Sequence, residues 1–468
     1  MLLNTTSGCD LIVVGCQFGD EGKGRFTDVF AQGAFAVVRY QGGPHTGHTV
    51  ITEGGKFRFV QVPSGVLRGV MGVLGNGCVI EPGGLLDEMA VLESKGMPVK
   101  LRISESAHVV FPYHMAQDEA MERWRGGSVA TSQAGVAEGL GQIGSTRRGV
   151  GPCREDKIAR IGLRLTDLLE PEVLRARLCR LLPMKRLFIE KTLGSNLEEL
   201  ATFRKDAWDL DNLVAKYHSY GCRLAPFMCD VSVLLSTARQ EGRFLVYEGA
   251  QSIGLDIEYG TYPYCSSGYS AAGGVTIGTG SSPAIPFQIY GVAKAYTSRV
   301  GGGPLPTELD GPIADQIVER GFEYGTVTGR RRRVGWLDLV LLRHAVQVDG
   351  ISHLCLGAID VLAGLSEVKV ATSYLINGSK SDRWPEKVSD WAKVQPVYAT
   401  LPGWPDQDWQ EVARQGLPAL SANARRYVEF VVEALGIELA AIAVGPSREA
   451  TIVLHIPPLP KLHDHQMV

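Results

Sequence analysis

The sequence predicts an α/β protein with a central, mainly parallel β-sheet. Three observations carry this. Short apolar runs alternate with longer amphipathic stretches over the 468 residues, the pattern of strands joined by crossover helices. The run DLIVV at 10–14 opens into a glycine-rich loop around one lysine, GCQFGDEGKGR, the strand–loop–helix order of an anion site. Glycine is abundant, with 56 residues, and much of it falls in short clusters that suit close backbone approach to a ligand.

The elements follow in order. Asp10–Gly15 is the first expected strand, with a helix after the glycine loop running through Ala31. Residues 36–40 (AVVRY) form a second strand that ends in the loop QGGPHTGHT. Residues 125–141 are rich in Gly, Ala and Ser and read as a flexible insertion on the surface. The charged stretch 165–220 predicts a helical subdomain. Residues 243–248 (RFLVYE) form a strand leading into GAQ, and 289–296 and 353–361 are further strands. No internal repeat is present. The chain therefore divides into one unit over 8–455 and a Pro-rich tail over 456–468, expected to pack poorly from His455 onward. The tail's HDH reads as solvated side chains rather than a metal site.

Bulk properties exclude several classes. A net charge of −3 sets up no global field toward nucleic acid or an anionic membrane. No run approaches the roughly 20 apolar residues of a membrane span, and the N-terminus lacks the features of a signal peptide. Nine scattered cysteines without CxxC spacing fit reduced thiols in a cytoplasm. A cytoplasmic protein with neither nucleic-acid nor membrane partners is expected.

The glycine loop is a variant of the phosphate loop. Six residues separate Gly15 from Gly22, where the usual spacing has four, and Gly24 stands where a hydroxyl normally follows the lysine. Asp20 lies inside the loop and offers the oxygen ligand for Mg²⁺ that Gly24 lacks. The second loop carries His45 and His48 among glycines and threonines. A carboxylate in one loop and a histidine in the next form an acid–base pair. The third feature is TVTGRRRR at 326–333, followed by the apolar VGWLDLVLL. Arginine forks grip carboxylates and phosphates, so this run suggests an anionic small substrate at the sheet edge.

Taken together, QFGDEGKGR, VRYQGGPHTGHTV, IGSTRRGVGPCREDKIAR, YEGAQ, LDIEYGTYPY, SRVGGGPLPTEL, TGRRRRVGWLD, AIDVLAGL and VGPSRE resemble the adenylosuccinate synthetase family over 10–454. The resemblance implies a P-loop-like nucleotide-binding fold with a helical subdomain. It also implies a Mg²⁺-dependent ligase of purine biosynthesis that joins IMP to L-aspartate with GTP hydrolysis, through a 6-phosphoryl intermediate. Asp20 would take the N1 proton and bind Mg²⁺ with Gly47, while His48 would donate a hydrogen bond or proton to the phosphoryl group. The GTP site would comprise Gly19, Asp20, Glu21, Gly22, Lys23, Gly24, Arg25, Gly47, Thr49, Arg332, Ala358, Asp360 and Gly445. IMP would meet Asp20, Lys23, His45, His48, Thr146, Gln251, Ser266 and Arg330, with Arg160 reaching in from the second subunit of a homodimer. Aspartate would be held by Thr326, Val327, Thr328, Gly329, Arg330, Arg331 and Arg332.

Several positions depart from the family pattern. His45 replaces an asparagine, Arg25 a lysine, Ser266 a threonine, and Val327 a threonine. At the guanine pocket Ala358 replaces a lysine, and Ala443 and Val444 replace a serine and a threonine. Asp360, the acid that reads guanine, favours GTP, while the altered pocket leaves ATP open as the donor. The purine is open between IMP and a guanine or deoxy monophosphate. Viral relatives that use a guanine monophosphate carry serine at position 20, so the acid favours hypoxanthine. A different class, an inactive nucleotide-binding regulatory module, need not keep both Asp20 and His48, and both are kept.

Overall fold

The structure, a computed structural model, describes residues 9–52, 55–127, 141–325, 329 and 331–456. Ten strands form the main sheet. In chain order they are β1 (Asp10–Gly15), β2 (Ala36–Arg39), β3 (Met71–Leu74), β4 (Leu101–Ser104), β5 (Met228–Cys229), β6 (Leu245–Ser252), β7 (Phe287–Lys294), β8 (His353–Gly357), β9 (Glu438–Ala443) and β10 (Thr451–Val453). Their spatial order is β10-β9-β8-β7-β1-β6-β2-β3-β4-β5. Every neighbouring pair is parallel except β9 with β10. All six residues of β1 are buried. A parallel strand covered on both faces reads as a continuous apolar run, which is why DLIVV was legible.

The chain turns one way from β1 toward β2 and the other way toward β7. Ligands of open α/β sheets bind beyond the carboxyl ends of the strands at such a switch point. The loops after β1, β2 and β6 meet there. A second, five-stranded sheet packs beside the first and contains Tyr296–Arg299, Arg333–Asp338 and Glu367–Ile376.

Residues 165–220 are helical, as expected, and include Pro171–Leu187 and Leu210–Leu224. Leu174, Leu178, Leu213 and Tyr217 share one buried apolar cluster at helical spacing.

Some expected boundaries are corrected. The strand expected at 243–248 runs over Leu245–Ser252, so GAQ belongs to the strand. The strand expected at 289–296 ends at Lys294, and Tyr296 already begins a strand of the second sheet. The strand expected at 353–361 stops at Gly357, because Ala358 takes a left-handed backbone (φ 62°) and Asp360–Leu362 is a 3₁₀ turn. Of the surface loop expected at 125–141, the first three residues complete the helix Pro112–Gly127, and 128–140 lie outside the described residues. His455 is not loose. Its ring stacks on His353 and its Nδ1 lies 2.5 Å from the Tyr290 hydroxyl. Residues 457–468, including HDH, lie outside the described residues.

Candidate active site

The loop after β1 is closed on itself. Helix α1 (Lys23–Phe30) starts at Gly22, whose φ of 89° only glycine adopts readily. The Glu21 carboxylate accepts hydrogen bonds from the backbone N–H groups of Gln17 (3.1 Å) and Gly19 (2.9 Å). Its other oxygen accepts from Lys23 Nζ (2.6 Å) and Ser252 Oγ (2.8 Å). Burial pushes the Glu21 carboxyl up, but Lys23 and these donors outweigh it and hold it below the ordinary range. Glu21 therefore fills the anion site that the loop's own N–H groups create. Gly15 permits this packing: a Cβ there would lie 2.0 Å from Ser252 Oγ and 2.8 Å from Glu21 Oε2.

The missing hydroxyl at position 24 has a steric cause. A Cβ on Gly24 would lie 2.9 Å from Ser64 Oγ and 3.2 Å from His48 Cδ2. The first turn of α1 thus has room for the His48 imidazole and for nothing longer than glycine. His48 Nδ1 lies 3.1 Å from Arg39 Nη2, and His48 Nε2 is shielded from solvent without a hydrogen-bond partner among the described residues. Burial, reinforced by Arg39, pushes this imidazole down to about 4. It is neutral at physiological pH.

A cavity of about 430 Å³ lies beside these loops, lined by Asp20, His45, Gly47, Thr146, Gln251 and Ser266 among others. With Gly19, which also lines it, seven residues of the expected site thus meet around one space. The Thr146 segment is held by the preceding helix. Asp118 accepts from Ser145 Oγ (2.7 Å) and Gly149 N (3.0 Å), and Glu122 from Gly144 N (2.9 Å). Arg160 does not join that cavity. It is exposed, with a left-handed backbone (φ 62°), just past the helix Val150–Ile158.

His45 Nε2 meets Gln251 Nε2 at 2.5 Å and Ser266 Oγ at 3.4 Å. Burial, then Arg154 and Arg39, push this ring down to about 3. His45 Nδ1 has no partner among the described residues, and neither have Nη1 and Nη2 of Arg154. Arg154 is only 9% exposed. Its guanidinium occupies space that Gly268 leaves free: a Cβ on Gly268 would lie 1.5 Å from Arg154 Nη1.

The three described arginines of the run, 331–333, diverge. Arg332 is buried between two acids, with Nε 3.0 Å from Asp20 Oδ2 and Nη1 2.8 Å from Glu323 Oε2. Glu323 also binds Lys294 Nζ (2.6 Å) and the Tyr296 hydroxyl (2.5 Å). Arg331 pairs with Asp315 on the surface, and Arg333 pairs with Glu308. Gly329 has φ 65°. Thr326, Val327, Thr328 and Arg330 lie outside the described residues.

At the expected base pocket, Arg25 Nη1 donates to the Gly445 carbonyl, and its Nη2 lies 3.3 Å from where a Gly357 Cβ would stand. Asp360 attracts Arg25 electrostatically, and burial raises the Asp360 carboxyl. Ala443 and Val444 are fully buried, so their side chains open no space beside a base. Thr49 lies in the strand His48–Thr52.

This arrangement has relatives. A family model described as adenylosuccinate synthetase matches residues 12–452. The chain belongs to the adenylosuccinate synthetase family. An adenylosuccinate synthetase of Caldanaerobacter subterraneus is 42% identical over 447 residues, which span 95% of this chain and 98% of that protein. One of Bacillus cytotoxicus is 44% identical over 446 residues, with coverages of 95% and 98%. The fully ligated adenylosuccinate synthetase of Plasmodium falciparum superposes with a TM-score of 0.85 at 30% identity, covering 96% of this chain and all of that one. A cyanophage S-2L succinoaminodeoxyadenylate synthetase gives a TM-score of 0.58 at 17% identity, with 96% of both chains covered, and shares the fold alone. The adenylosuccinate synthetase family consists of ligases that form a carbon–nitrogen bond with GTP.

Sequence reasoning missed Arg39, Glu248, Ser252, Glu323 and Arg154. The first two carried a signal: each is a charged residue directly after an apolar run of its strand, and β2 and β6 place them in register opposite each other. Arg154 carried none, because only the fold brings it beside Gly268.

Proposed function

We infer that this member of the adenylosuccinate synthetase family joins IMP to L-aspartate with GTP in two steps. Asp20 accepts the N1 proton, and the purine O6 attacks the γ-phosphorus as the bond to the β-phosphate oxygen breaks. GDP leaves. The aspartate amine then attacks C6, the phosphate departs with the C6–O6 bond electrons, and the amine loses a proton. The observations that carry this reading are Asp20 at the cavity and, next to the first turn of α1, a buried His48 whose Nε2 has no hydrogen-bond partner among the described residues. Positioning and charge stabilisation dominate phosphoryl transfer, and Lys23 at the start of α1 supplies positive charge. Asp360 accepts from guanine N1–H and the 2-amino group, donors that adenine lacks in that arrangement, so GTP is the donor.

Magnesium shared with substrate phosphates needs only one or two protein oxygens. Among the described residues no three His, Cys, Asp or Glu side chains gather as a metal nest, which suits such sharing. The Asp20 carboxylate and the Gly47 carbonyl are hard oxygen donors at the cavity and would hold the ion, whose charge would offset that on the phosphates.

We further infer a homodimer in which Arg160 serves the partner's IMP phosphate. Its exposure, beside an Ile158 that is 73% exposed, supports a subunit face there. The unit over 8–455 acts as one catalytic domain. Mixing Arg160→Leu and Asp20→Asn chains should restore activity, since a hybrid keeps one whole site. Exchange without recovery would defeat the shared site.

The main experiment is purified protein with aspartate and Mg²⁺ against IMP, GMP and their deoxy forms, with GTP or ATP. Adenylosuccinate from IMP and GTP is the expected product. A succinyl-guanine product would overturn the assignment of IMP, and a preference for ATP would overturn that of GTP.

A further inference from the structure

Arg154 stands on the helix Val150–Ile158, whose first turn borders the cavity through Val150, Gly151 and Pro152. The next residue, Glu155, lines the cavity as well. The Arg154 side chain runs to Gly268, directly after Ser266 and Ser267 of the cavity wall. It also acts electrostatically on His45, another residue of that wall. At 9% exposure, its Nη1 and Nη2 have no hydrogen-bond partner among the described residues.

The surroundings do not answer this charge. The thiols of Cys78 and Cys153 lie within electrostatic reach, and burial pushes them up to about 11 and about 12, so both are neutral. The carboxylate in reach is Asp256. Its Oδ1 accepts from the backbone N–H groups of Glu258 (2.9 Å) and Tyr259 (3.2 Å), and its Oδ2 from those of Ser270 and Ala271 (2.9 Å). Asp256 thus caps a turn and does not meet the guanidinium. Lys157, one turn on, adds like charge: burial and then Arg154 push its ammonium down. A guanidinium carries only donors, and an unpaired buried charge is costly. The acceptor that satisfies Arg154 has to come from outside the chain.

We propose that Arg154 is a phosphate-binding residue of the nucleoside monophosphate site: Nη1 and Nη2 donate to the 5′-phosphate beside the hydroxyls of Ser266 and Thr146, and Gly268 is glycine because the guanidinium passes over it. This rests on the reading of the cavity as the IMP site, and it adds a cation from the same chain to the Arg160 contributed across the dimer. A buried arginine is more often a packing element whose donors are taken by carbonyls. Three features set Arg154 apart. Its terminal donors are unoccupied, a Cβ on Gly268 would stand 1.5 Å from Nη1, and Ser266 and Thr146 bring hydroxyls to the same cavity. The fork of a guanidinium matches phosphate oxygens, and two neighbouring cations suit the double charge of a phosphate monoester better than the single charge of a carboxylate.

The test is calorimetric binding of IMP and of inosine, which lacks the phosphate, to the unaltered protein and to Arg154→Met. IMP should bind about 10–100-fold more weakly to Arg154→Met, the loss expected for hydrogen bonds to a charged group, and the affinity for inosine should stay within about twofold. Arg154→Lys, which keeps the charge without the fork, should lie between. An unchanged affinity for IMP would overturn the proposal. Equal weakening of IMP and inosine would overturn it too, since that is what loss of packing alone produces. If Arg154→Met fails to fold, Arg154→Lys decides by the same comparison. If the unaltered protein binds neither IMP nor another nucleoside monophosphate, the function assigned above fails, and Arg154 is then judged with inorganic phosphate. A rise in thermal midpoint that is smaller in Arg154→Met than in the unaltered protein sustains the phosphate contact, and equal rises overturn it.

Discussion

The two sides of the cavity handle buried charge in opposite ways. On the phosphate-loop side, Glu21 is matched by Lys23, Arg39 by Glu248, and Arg332 by Asp20 and Glu323. On the Ser266 side, the Arg154 guanidinium and His45 Nδ1 are buried without partners among the described residues. An unpaired buried charge is costly, and a matched one costs far less. The phosphate-loop side is thus preorganised in the free chain, while the other side carries a local penalty.

The largest effect should come from the matched side. Asp20→Asn keeps the shape but cannot accept the N1 proton, and it weakens the oxygen set for Mg²⁺. General acid–base groups contribute about 10²–10⁴-fold, and the loss of kcat should lie at the high end. Nucleotide binding should persist in part by calorimetry. Turnover within tenfold of the unaltered protein would remove Asp20 from the reaction.

Breaking a matched pair should cost stability. Lys23→Met leaves Glu21 buried without its cation, and removing one partner of a buried pair costs about 3–5 kcal/mol. Chemical denaturation should therefore give a clearly lower midpoint. An unchanged midpoint would show that the loop's N–H groups alone satisfy Glu21 and that the matched side is less tightly coupled than its distances imply.

The legibility of the molecule follows the same division. Features encoded by adjacent residues were readable: the buried β1, the glycine loop, the two histidines and the helical stretch 165–220. Features that depend on residues far apart were not. Glu248 is matched to Arg39 only through strand register. Glycine at 24 is explained only by Ser64 and His48 meeting above it. The strand ends at Lys294 and Gly357 were missed because apolar sequence continues past them while the backbone turns away. The arginine run could be placed at the sheet edge, but which arginine turns inward depends on where Glu323 lies.

Acid should act through the histidines. His45 is held down to about 3, and His48 and His108 to about 4, each first by burial. An unfolded chain takes up these protons near pH 6.5, where the fold refuses them, so their contribution is complete above about 6.5 and is lost as pH falls toward 4. Asp349 and Asp338, raised by burial to about 7 and about 6, act in the opposite direction over that range. The contrast is therefore read by difference. His45→Asn should lose less stability between pH 6.5 and 4.5 than the unaltered protein. Parallel stability curves for the two proteins would mean that His45 is protonated in the folded chain.

The smallest effect should come from removing the unmatched charge itself. Arg154→Met discards a buried guanidinium whose Nη1 and Nη2 have no hydrogen-bond partner among the described residues. A methionine fills much of the same volume and adapts to irregular space. Replacing a buried charge by apolar atoms of similar size is often neutral or stabilising. The thermal midpoint of Arg154→Met should accordingly match or exceed that of the unaltered protein, in contrast to the loss in Lys23→Met. Gly268→Ser supplies the opposite perturbation. Its Cβ would stand 1.5 Å from Arg154 Nη1, and overpacking of this kind costs about 1–3 kcal/mol. Combining the two substitutions should relieve most of that cost, because methionine ends in a flexible group that can turn aside. A midpoint for Arg154→Met that falls as far as that of Lys23→Met would show that the guanidinium is matched in the folded protein after all, and the contrast between the two sides of the cavity would then disappear.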